Sequence, residues 1–240
     1  MGAKVSIFRQ KVKIVTLFVK QLYRKIVVPL RRDLNHTART GCTSAIQASL
    51  IALGLHCPCT QITNYTKMAK KVLIAYYSRR GENYVNGSIV NLKLGNTEVV
   101  AGKIKALLPD ADVFQIDTTY EYSKNYMTCI EEAKQELHDQ VRPEVKNPLE
   151  SIDEYDTIIL GYPNWWGTMP MVVYTFLESY DFTGKTIIPF CTNEGSGMGS
   201  SVRFIKKLCP SANVDDGTPI HGAEAANADR EAKEIADLAK

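Results

Sequence analysis

Four short apolar runs, separated by stretches with helical periodicity, limit the possible folds of this chain more than any other feature. The first, Val-Leu-Ile-Ala-Tyr-Tyr at 72–77, is apolar throughout and rich in β-branched and aromatic residues. Such a run is typical of a strand that is buried on both faces, as in a parallel sheet. The other runs lie at 112–117, 157–162 and 186–191, with a fifth and shorter one near 212–214 whose furthest extent is Ile220.

Segments with the spacing of helices lie between these runs. In the first of them, Val99, Val100 and Ile104 fall on one helical stripe. The segments are 97–108, 126–140, 171–179, 200–208 and 229–239. Regular alternation of strand and helix predicts an α/β fold with a five-stranded parallel sheet and helices on both faces. Such sheets bind ligands beyond the carboxyl ends of their strands, so the loops there form the candidate site.

The distribution of charge divides the chain into two parts. Among its 29 basic and 26 acidic residues, 11 basic residues and a single acidic one, Asp33, lie in 1–67. The net charge is therefore +10 for residues 1–67 and −7 for residues 68–240. We predict a basic N-terminal extension at 1–67, poorly ordered or not part of the fold, and one folded domain at 68–240. The acidic domain is a poor binder of nucleic acid and suits a basic protein partner.

The extension allows two interpretations. Its residues 5–30 mix aliphatic side chains with Lys and Arg, which is typical of a basic amphipathic helix or a transit-like segment. The apolar stretch 45–55 is shorter than the roughly 20 residues that cross a bilayer. Alternatively, Met68 begins the protein proper, and the preceding residues are a translated upstream region without selected structure. Contact with a membrane is expected only under the first interpretation.

The six cysteines favour neither a disulfide framework nor a metal site. Cys57 and Cys59 form Cys-x-Cys rather than the Cys-x-x-Cys of redox dithiols. Cys129 and Cys191 lie in apolar-periodic segments, where a buried free thiol is expected. This usage of cysteine predicts a reducing compartment, and hence a cytoplasmic protein.

The loop after the first strand has the composition of an anion site. It runs from Ser78, Arg79 and Arg80 to Gly95, Asn96 and Thr97, where a helix is predicted to begin. Unpaired N–H groups at a helix N-terminus, together with the helix dipole, favour a negative charge there. Alternatively, Asn96 or Thr97 acts only as the N-cap of that helix.

The loop at 163–170 contains the only two tryptophans of the chain, Trp165 and Trp166. They follow Pro163 and Asn164 and precede Gly167. Large aromatic side chains are unfavourable in water, so they either pack into the protein or cover a flat ligand. One tryptophan can pack into the protein while the other covers a ring.

The loop after the run at 186–191 is rich in glycine. It reads Thr192, Asn193, Glu194, Gly195, Ser196 and Gly197. Glycines let the backbone approach a ligand closely. A plain flexible turn is the alternative interpretation.

Together these segments resemble the flavodoxin family over about residues 70–240. The matching elements are the first strand with Ser78, the helix start at 95–101, the Pro-x-Trp-Trp-Gly-x-x-Pro stretch at 163–170 and the loop at 192–199. The resemblance implies a flavodoxin-like doubly wound fold with strand order 2-1-3-4-5. It also implies that FMN binds at the point where the strand order reverses.

The resemblance implies that Ser78, Asn96 and Thr97 hold the phosphate of FMN. In the family this loop is compact, whereas an insertion at 84–94 separates its two halves here. Either half can form the phosphate cradle. Joint use of both halves, with one of the two arginines after Ser78 as a cationic neighbour, is the favoured interpretation.

The resemblance also implies that 163–167 line the isoalloxazine ring, with Trp165 or Trp166 stacked on it, while 192–197 reach its other side or edge. The third loop lacks the aromatic residue that many flavodoxins place on the outer face of the flavin, and Glu194 is nearby instead. This departure weighs against a carrier of very low potential, since charge and apolar character around the ring set its electronics.

The expected function is that of an FMN-dependent electron carrier that shuttles electrons between redox partner proteins. No side chain is predicted to be catalytic, because the flavin would carry the chemistry. An FMN-dependent NAD(P)H (quinone) oxidoreductase is the alternative, since the third loop leaves one face of the flavin open. A binding module that has lost its flavin is a third hypothesis, motivated by the split phosphate loop.

Overall fold

The computed structural model describes residues 71–240, and the predicted extension at 1–67 lies outside the described residues. The strands are β1 (Val72–Tyr76), β2 (Gly81–Val85), β3 (Ser88–Leu92), β4 (Asp112–Gln115), β5 (Thr157–Pro163), β6 (Thr186–Asn193), β7 (Asn213–Val214) and β8 (Thr218–His221). The helices are α1 (Asn96–Leu107), α2 (Tyr126–Asp139), α3 (Met171–Ser179), α4 (Ser201–Leu208) and α5 (Asp229–Leu238), and a 3-10 helix covers Gly222–Asn227. The strands and helices expected from the sequence are confirmed, with small shifts of their bounds.

The main sheet is parallel, and its order is β4-β1-β5-β6, with β7 and β8 both paired to the outer edge of β6. Numbered by their succession along the chain, the parallel strands have the order 2-1-3-4-5, which confirms the doubly wound prediction. The fifth position is divided between two short strands. They pair with opposite ends of β6 and are separated by a turn in which Gly217 has a φ of +82°.

Strands β2 and β3 form a separate antiparallel hairpin inside the loop between β1 and α1. The hairpin extends from Gly81, which pairs with Leu92, to a two-residue turn at Asn86 and Gly87. Both turn residues have positive φ, +48° and +83°, as the favoured type I′ hairpin turn requires. The insertion recognised in the sequence at 84–94 therefore has regular structure of its own.

Two apolar cores cover the faces of the main sheet, as expected for strands that are buried on both sides. Ile158 and Leu160 of β5 face one core, to which α3 and α4 contribute Phe176 and Ile205. Ile159, between them in sequence, faces the other core, which includes residues of α1 and α5. The sheet is thus covered on both faces, and the loops at its carboxyl edge follow buried strands.

Cys129 and Cys191 are buried free thiols, as predicted. Burial raises the pKa of Cys129 to about 11 and that of Cys191 to about 12. Both thiols are therefore protonated at neutral pH. Among residues 71–240, no helix is long and apolar enough to cross a membrane.

Candidate cofactor site

A cavity of about 310 Å³ lies at the carboxyl ends of β1, β5 and β6, at the lower end of the size range of about 300–1,000 Å³ that is usual for small-molecule sites. Twelve of the residues predicted from the sequence line it: Ser78, Arg79, Asn96, Thr97, Pro163, Asn164, Trp165, Trp166, Thr192, Asn193, Glu194 and Ser196. The other predicted residues, Arg80, Gly95, Gly167, Gly195 and Gly197, lie in the same loops but are not among the lining residues. The three loops chosen from the sequence therefore come together at one site.

One end of the cavity is formed by the N-terminus of α1. The hydroxyl oxygen of Ser78 accepts a hydrogen bond from the N–H of Glu98 at 3.1 Å, which leaves its own proton free to donate. The N–H groups of Asn96 and Thr97 belong to the first turn of the helix and have no carbonyl partner within it. Donors of this kind at a helix N-terminus suit an anionic group such as a phosphate.

The close approach of the two halves of this loop depends on Gly95. A Cβ atom at this position would lie 2.3 Å from both the carbonyl oxygen of Arg79 and the Oγ of Ser78. On the other side, the hydroxyls of Thr97 and Thr192 are buried and 2.7 Å apart, so they link α1 to the end of β6. The loop is therefore split in sequence but joined in space, and joint use of both halves for a phosphate stays a prediction.

The two arginines of the first loop have different surroundings. Arg80 is exposed and forms a two-point ion pair with Glu98 in the first turn of α1. Arg79 lines the cavity, and its guanidinium donates to the carbonyl oxygens of Glu82, Ser123 and Lys124. These carbonyls do not neutralise the charge of Arg79, so Arg79 is the better placed of the two to attract an anion into the cavity.

The tryptophan loop makes a tight turn in an unusual conformation. The N–H of Trp165 donates to the carbonyl of Thr168 at 2.8 Å, and the N–H of Thr168 donates to the carbonyl of Trp165 at 3.1 Å. Between them, Trp166 and Gly167 have φ values of +53° and +80°. A positive φ is rare for a bulky residue and usually marks a turn under strain. The strain is held in place by Asn164, whose Oδ1 accepts from the N–H of Gly167 at 2.9 Å.

The two tryptophans pack differently. Trp165 is packed edge-on against Tyr77 and Tyr122, with ring centroids 5.4 Å and 5.2 Å apart. Trp166 is 46% exposed, and its indole N–H donates to the carbonyl of Ile130 in α2 at 2.8 Å. Trp165 thus forms part of the wall, and Trp166 forms the outer rim.

The third loop owes its shape to two asparagines. The Oδ1 of Asn193 accepts hydrogen bonds from the N–H groups of Gly195 and Gly197, both at 2.9 Å. The side-chain amide of Asn164 donates to the carbonyl of Gly197 at 2.9 Å, which joins the tryptophan loop to this one. These hydrogen bonds fasten the loop to the end of β6 and to the tryptophan loop.

Glu194 has one paired and one unpaired oxygen. Its Oε2 accepts from the N–H of Asn86 at 3.0 Å and lies 3.6 Å from the Nε2 of His221. Its Oε1 is buried and has no hydrogen-bond partner among the described residues. A Cβ built on Gly222 would lie 2.4 Å from this Oε1 and 2.7 Å from the Nδ2 of Asn96. The carboxylate therefore lies at the α1 end of the cavity, where it needs a donor.

Seven lining residues were not predicted: Asn83, Tyr84, Tyr126, Cys129, Ile130, Ala133 and Gly222. Four of them, at positions 126, 129, 130 and 133, share one face of α2, a spacing that is visible in the sequence. The spacing identifies a helix face but not what the face covers. Asn83 and Tyr84 belong to the hairpin, for which the sequence offered only the Asn-Gly turn signal.

The residues present fit a flavin mononucleotide. The α1 end offers N–H and hydroxyl donors for a phosphate, and the unpaired Oε1 of Glu194 needs a donor such as a sugar-alcohol hydroxyl. The other end offers the indole rings of Trp165 and Trp166 for a planar ring system. A polar anionic tail and a flat aromatic head are the two chemical features that this cavity can bind.

Solved structures of other proteins have folds similar to that of this chain. A protein from Bacteroides eggerthii, provisionally described as a flavoprotein, is 27% identical, with a TM-score of 0.55 over 70% of this chain and 96% of its own. A protein from Bacteroides uniformis with the same provisional description is 27% identical, with a TM-score of 0.54 over 69% of this chain and 99% of its own. A flavoprotein from Lactobacillus acidophilus, solved in complex with FMN, is 22% identical, with a TM-score of 0.47 over 66% and 98%.

A search of curated protein sequences gave no match. The sequence profile of the family described as flavodoxin matches residues 71–234. That range includes all three loops of the cavity and almost the whole of the described structure. This chain therefore belongs to the flavodoxin family.

Proposed function

We propose that this chain binds FMN and transfers electrons between redox partner proteins. The observation that carries the proposal is a single cavity that joins an anion cradle at the N-terminus of α1 to two tryptophans in the loop after β5. Membership of the flavodoxin family supports FMN as the cofactor, as the resemblance of the sequence implied.

At the α1 end, the residues of the chain bind and orient the anionic tail. Ser78 donates its hydroxyl proton, and Asn96 and Thr97 supply first-turn N–H groups, so the tail is held by dipoles that are fixed before it arrives. Because Gly95 allows the close contact between the two halves of the loop, the hydroxyl of Ser78 lies beside the first turn of α1.

At the other end, the aromatic residues position the ring and limit its contact with water. FMN, when bound, supplies the redox chemistry, and the protein sets its position and electrostatic surroundings. Trp165 is fixed by its two tyrosine neighbours, while Trp166 lies at the rim between the cavity and solvent. An electron carrier needs such an accessible edge, because its partner must approach the ring.

The net charge of the domain indicates the kind of partner. Residues 68–240 carry a net charge of −7, and complementary charge mainly increases the rate of encounter. We therefore propose basic redox proteins as partners. The buried free thiols are consistent with the cytoplasmic assignment, which we retain as part of the proposal.

A second candidate function is that of an FMN-dependent NAD(P)H (quinone) oxidoreductase. The observation that favours it is the third loop, where residues 192–199 include no aromatic side chain and the lining residues are small or polar, Thr192, Asn193, Glu194 and Ser196. A wall of this kind would leave space for a nicotinamide or a quinone beside the flavin.

Anaerobic kinetics with the FMN-loaded protein separate the two functions. The carrier should not oxidise NADH or NADPH in the presence of a quinone, and, after chemical reduction, it should pass electrons to a basic haem protein at a rate that falls as salt is added. An acidic haem protein serves as the matched control and should react slowly. Steady turnover of NAD(P)H with quinone would instead assign the oxidoreductase function.

A further inference from the structure

The hairpin β2–β3 is a wall of the cofactor cavity. It interrupts the loop that carries Ser78 at one end and Asn96 at the other, which is the loop that would hold the phosphate. Two of its residues, Asn83 and Tyr84, line the cavity. The insertion that splits the phosphate loop therefore contributes directly to the space in which a cofactor would lie.

The base of the hairpin is fastened to the start of α2. The Oε2 of Glu82 accepts a hydrogen bond from the N–H of Tyr126 at 2.7 Å. The guanidinium of Arg79 donates to the carbonyl of Glu82 at 3.1 Å and to that of Ser123 at 2.9 Å. The rings of Tyr84 and Tyr126 are nearly parallel, with centroids 6.3 Å apart and an angle of 22° between their planes. These contacts fix one side of the hairpin.

The turn of the hairpin is fastened to the opposite side of the cavity. The N–H of Asn86 donates to the Oε2 of Glu194 at 3.0 Å, and Glu194 belongs to the loop after β6. The Oε1 of Glu194 lies next to Gly222 and near the side-chain amide of Asn96. The hairpin thus spans from α2 to the third loop, and its fastening point adjoins the N-terminus of α1.

We propose that this hairpin, held by Glu194 at its turn and by Glu82 at its base, selects the cofactor by its phosphate end. It encloses a terminal phosphate monoester and obstructs the path of a second nucleotide that is joined through that phosphate, as in FAD. This inference rests on the proposed function, since it concerns the same flavin site.

The negative charge of Glu194, like the shape of the hairpin, should favour FMN over FAD. The N–H groups of α1 offset the repulsion between the carboxylate of Glu194 and a first phosphate. A second phosphate would need further donors besides those of α1, and a like charge near a ligand is one way in which a protein rejects the wrong ligand. The hairpin and Glu194 therefore both disfavour a dinucleotide.

Equilibrium binding of FMN and FAD to the full-length apoprotein, followed by flavin fluorescence, tests the proposal. The wild-type protein should prefer FMN by about 100-fold or more, which is the discrimination that a shaped pocket can achieve. A variant with residues 82–91 replaced by Asn-Gly should lower this preference to less than about tenfold. Two point variants, Glu194→Ala and Tyr84→Ala, leave the chain length unchanged and should lower the preference in the same direction.

The rate of FMN dissociation gives a second readout. Glu194→Ala removes the carboxylate that accepts from the N–H of Asn86 and fastens the hairpin turn. Loss of this hydrogen bond to a charged acceptor should increase the rate of FMN dissociation about tenfold. Glu150→Ala is the matched control, because it removes an equal charge from an exposed position outside the cavity, and it should leave both the preference and the rate unchanged.

The outcomes separate this inference from the proposed function. A wild-type protein that binds FMN and FAD equally well, or a preference that is unchanged in both the shortened variant and Glu194→Ala, would overturn the selective role of the hairpin and leave the proposed function intact. If the shortened variant does not fold, the two point variants decide. A wild-type protein that binds neither flavin would overturn the proposed function itself.

Discussion

The indole ring of Trp165 lies edge-on to the phenol ring of Tyr122, with centroids 5.2 Å apart and an angle of 85° between their planes. The hydroxyl of Tyr122 in turn donates to the Oε2 of Glu136 in α2 at 2.7 Å. Burial raises the pKa of Glu136, as expected for a carboxyl group that is partly withdrawn from water. Tyr122, which does not line the cavity, thus supports the orientation of Trp165 in the cavity wall.

Replacement of Tyr122 should weaken cofactor binding from a distance. We expect Tyr122→Ala to lower FMN affinity up to about tenfold, since an edge-to-face aromatic pair is worth roughly 0.5–1.5 kcal/mol. Tyr122→Phe keeps the ring and should stay within about threefold of the wild type by the same argument. Fluorescence titration with FMN measures both. Equal losses in the two variants would show that the hydroxyl, and not the ring, is what matters.

Gly95 provides a test of the joined phosphate loop. Gly95→Ala places a Cβ 2.3 Å from backbone and side-chain atoms of the opposite half of the loop, so the two halves must separate. We expect FMN affinity to fall by at least about tenfold, because the phosphate donors no longer converge and a hydrogen bond to a charged group is worth about 1.5–3 kcal/mol. Isothermal titration calorimetry is the measurement.

Gly102→Ala is the matched control for that substitution. A Cβ at this position in α1 meets no atom within 4 Å, so FMN affinity should not change. The free energy of unfolding should rise by roughly 0.4–1 kcal/mol, because alanine restricts the unfolded chain. An equal loss of FMN affinity in both variants would contradict the role assigned to the contact at Gly95.

Replacement of Trp166 should weaken FMN binding while leaving the free energy of unfolding nearly unchanged. Trp166→Asn replaces a bulky residue at a φ of +53° by one that tolerates this conformation. Relief of a strain of roughly 1–2 kcal/mol should offset the lost contacts of an indole that is 46% exposed. We expect a free energy of unfolding within about 1 kcal/mol of the wild type, measured by urea denaturation of the apoprotein.

FMN affinity of the same variant should fall about tenfold, since a planar aromatic contact of this kind is worth about 1 kcal/mol or more. Asparagine suits this position because it occupies the left-handed region more readily than most non-glycine residues. A variant that binds FMN like the wild type would remove Trp166 from the cofactor site, whatever its stability.

The rate of alkylation of Cys129 should depend on whether the cavity is occupied. Cys129 lines the cavity, and burial raises its pKa to about 11. Because the thiol stays protonated below that pH, its alkylation by iodoacetamide in the apoprotein should be slow and should rise about tenfold per pH unit between about pH 7 and pH 9. An ordinary exposed thiol would instead reach half of its limiting rate near about pH 8.5 and level off above that pH.

Bound FMN should slow the alkylation of Cys129 further. Cys209 provides an internal control, because it is also buried with a pKa raised to about 11 but does not line the cavity. Peptide mass spectrometry resolves the two sites. Protection of both cysteines to the same extent would indicate a general stabilisation by FMN and not a cofactor beside Cys129.

The parts of the fold that the sequence predicts are those in which local pattern and burial agree. The runs at 72–77 and 157–162 form strands that are buried on both faces of the sheet. A continuous apolar sequence is what such burial requires, so the pattern predicts these strands. The order of the strands came from the resemblance to flavodoxins alone. Periodicity defines the elements, but their neighbours depend on contacts between distant segments.

The hairpin and the face of α2 show where the sequence is less informative. Strand β2 mixes Glu82 and Asn83 with Tyr84 and packs against no core, so its pattern does not stand out from that of a loop. On α2, Cys129 and Ile130 have the spacing of an ordinary core-facing stripe. Only the packing of the helix beside the tryptophan loop makes them cavity residues.

Titration of the purified apoprotein with FMN, followed by visible absorption and flavin fluorescence, measures whether the cavity binds this cofactor. We expect saturation at one FMN per chain, with a shifted visible spectrum and quenched fluorescence as the ring enters the cavity beside Trp165 and Trp166. A protein that stays colourless and leaves the spectrum of added FMN unchanged would contradict this expectation.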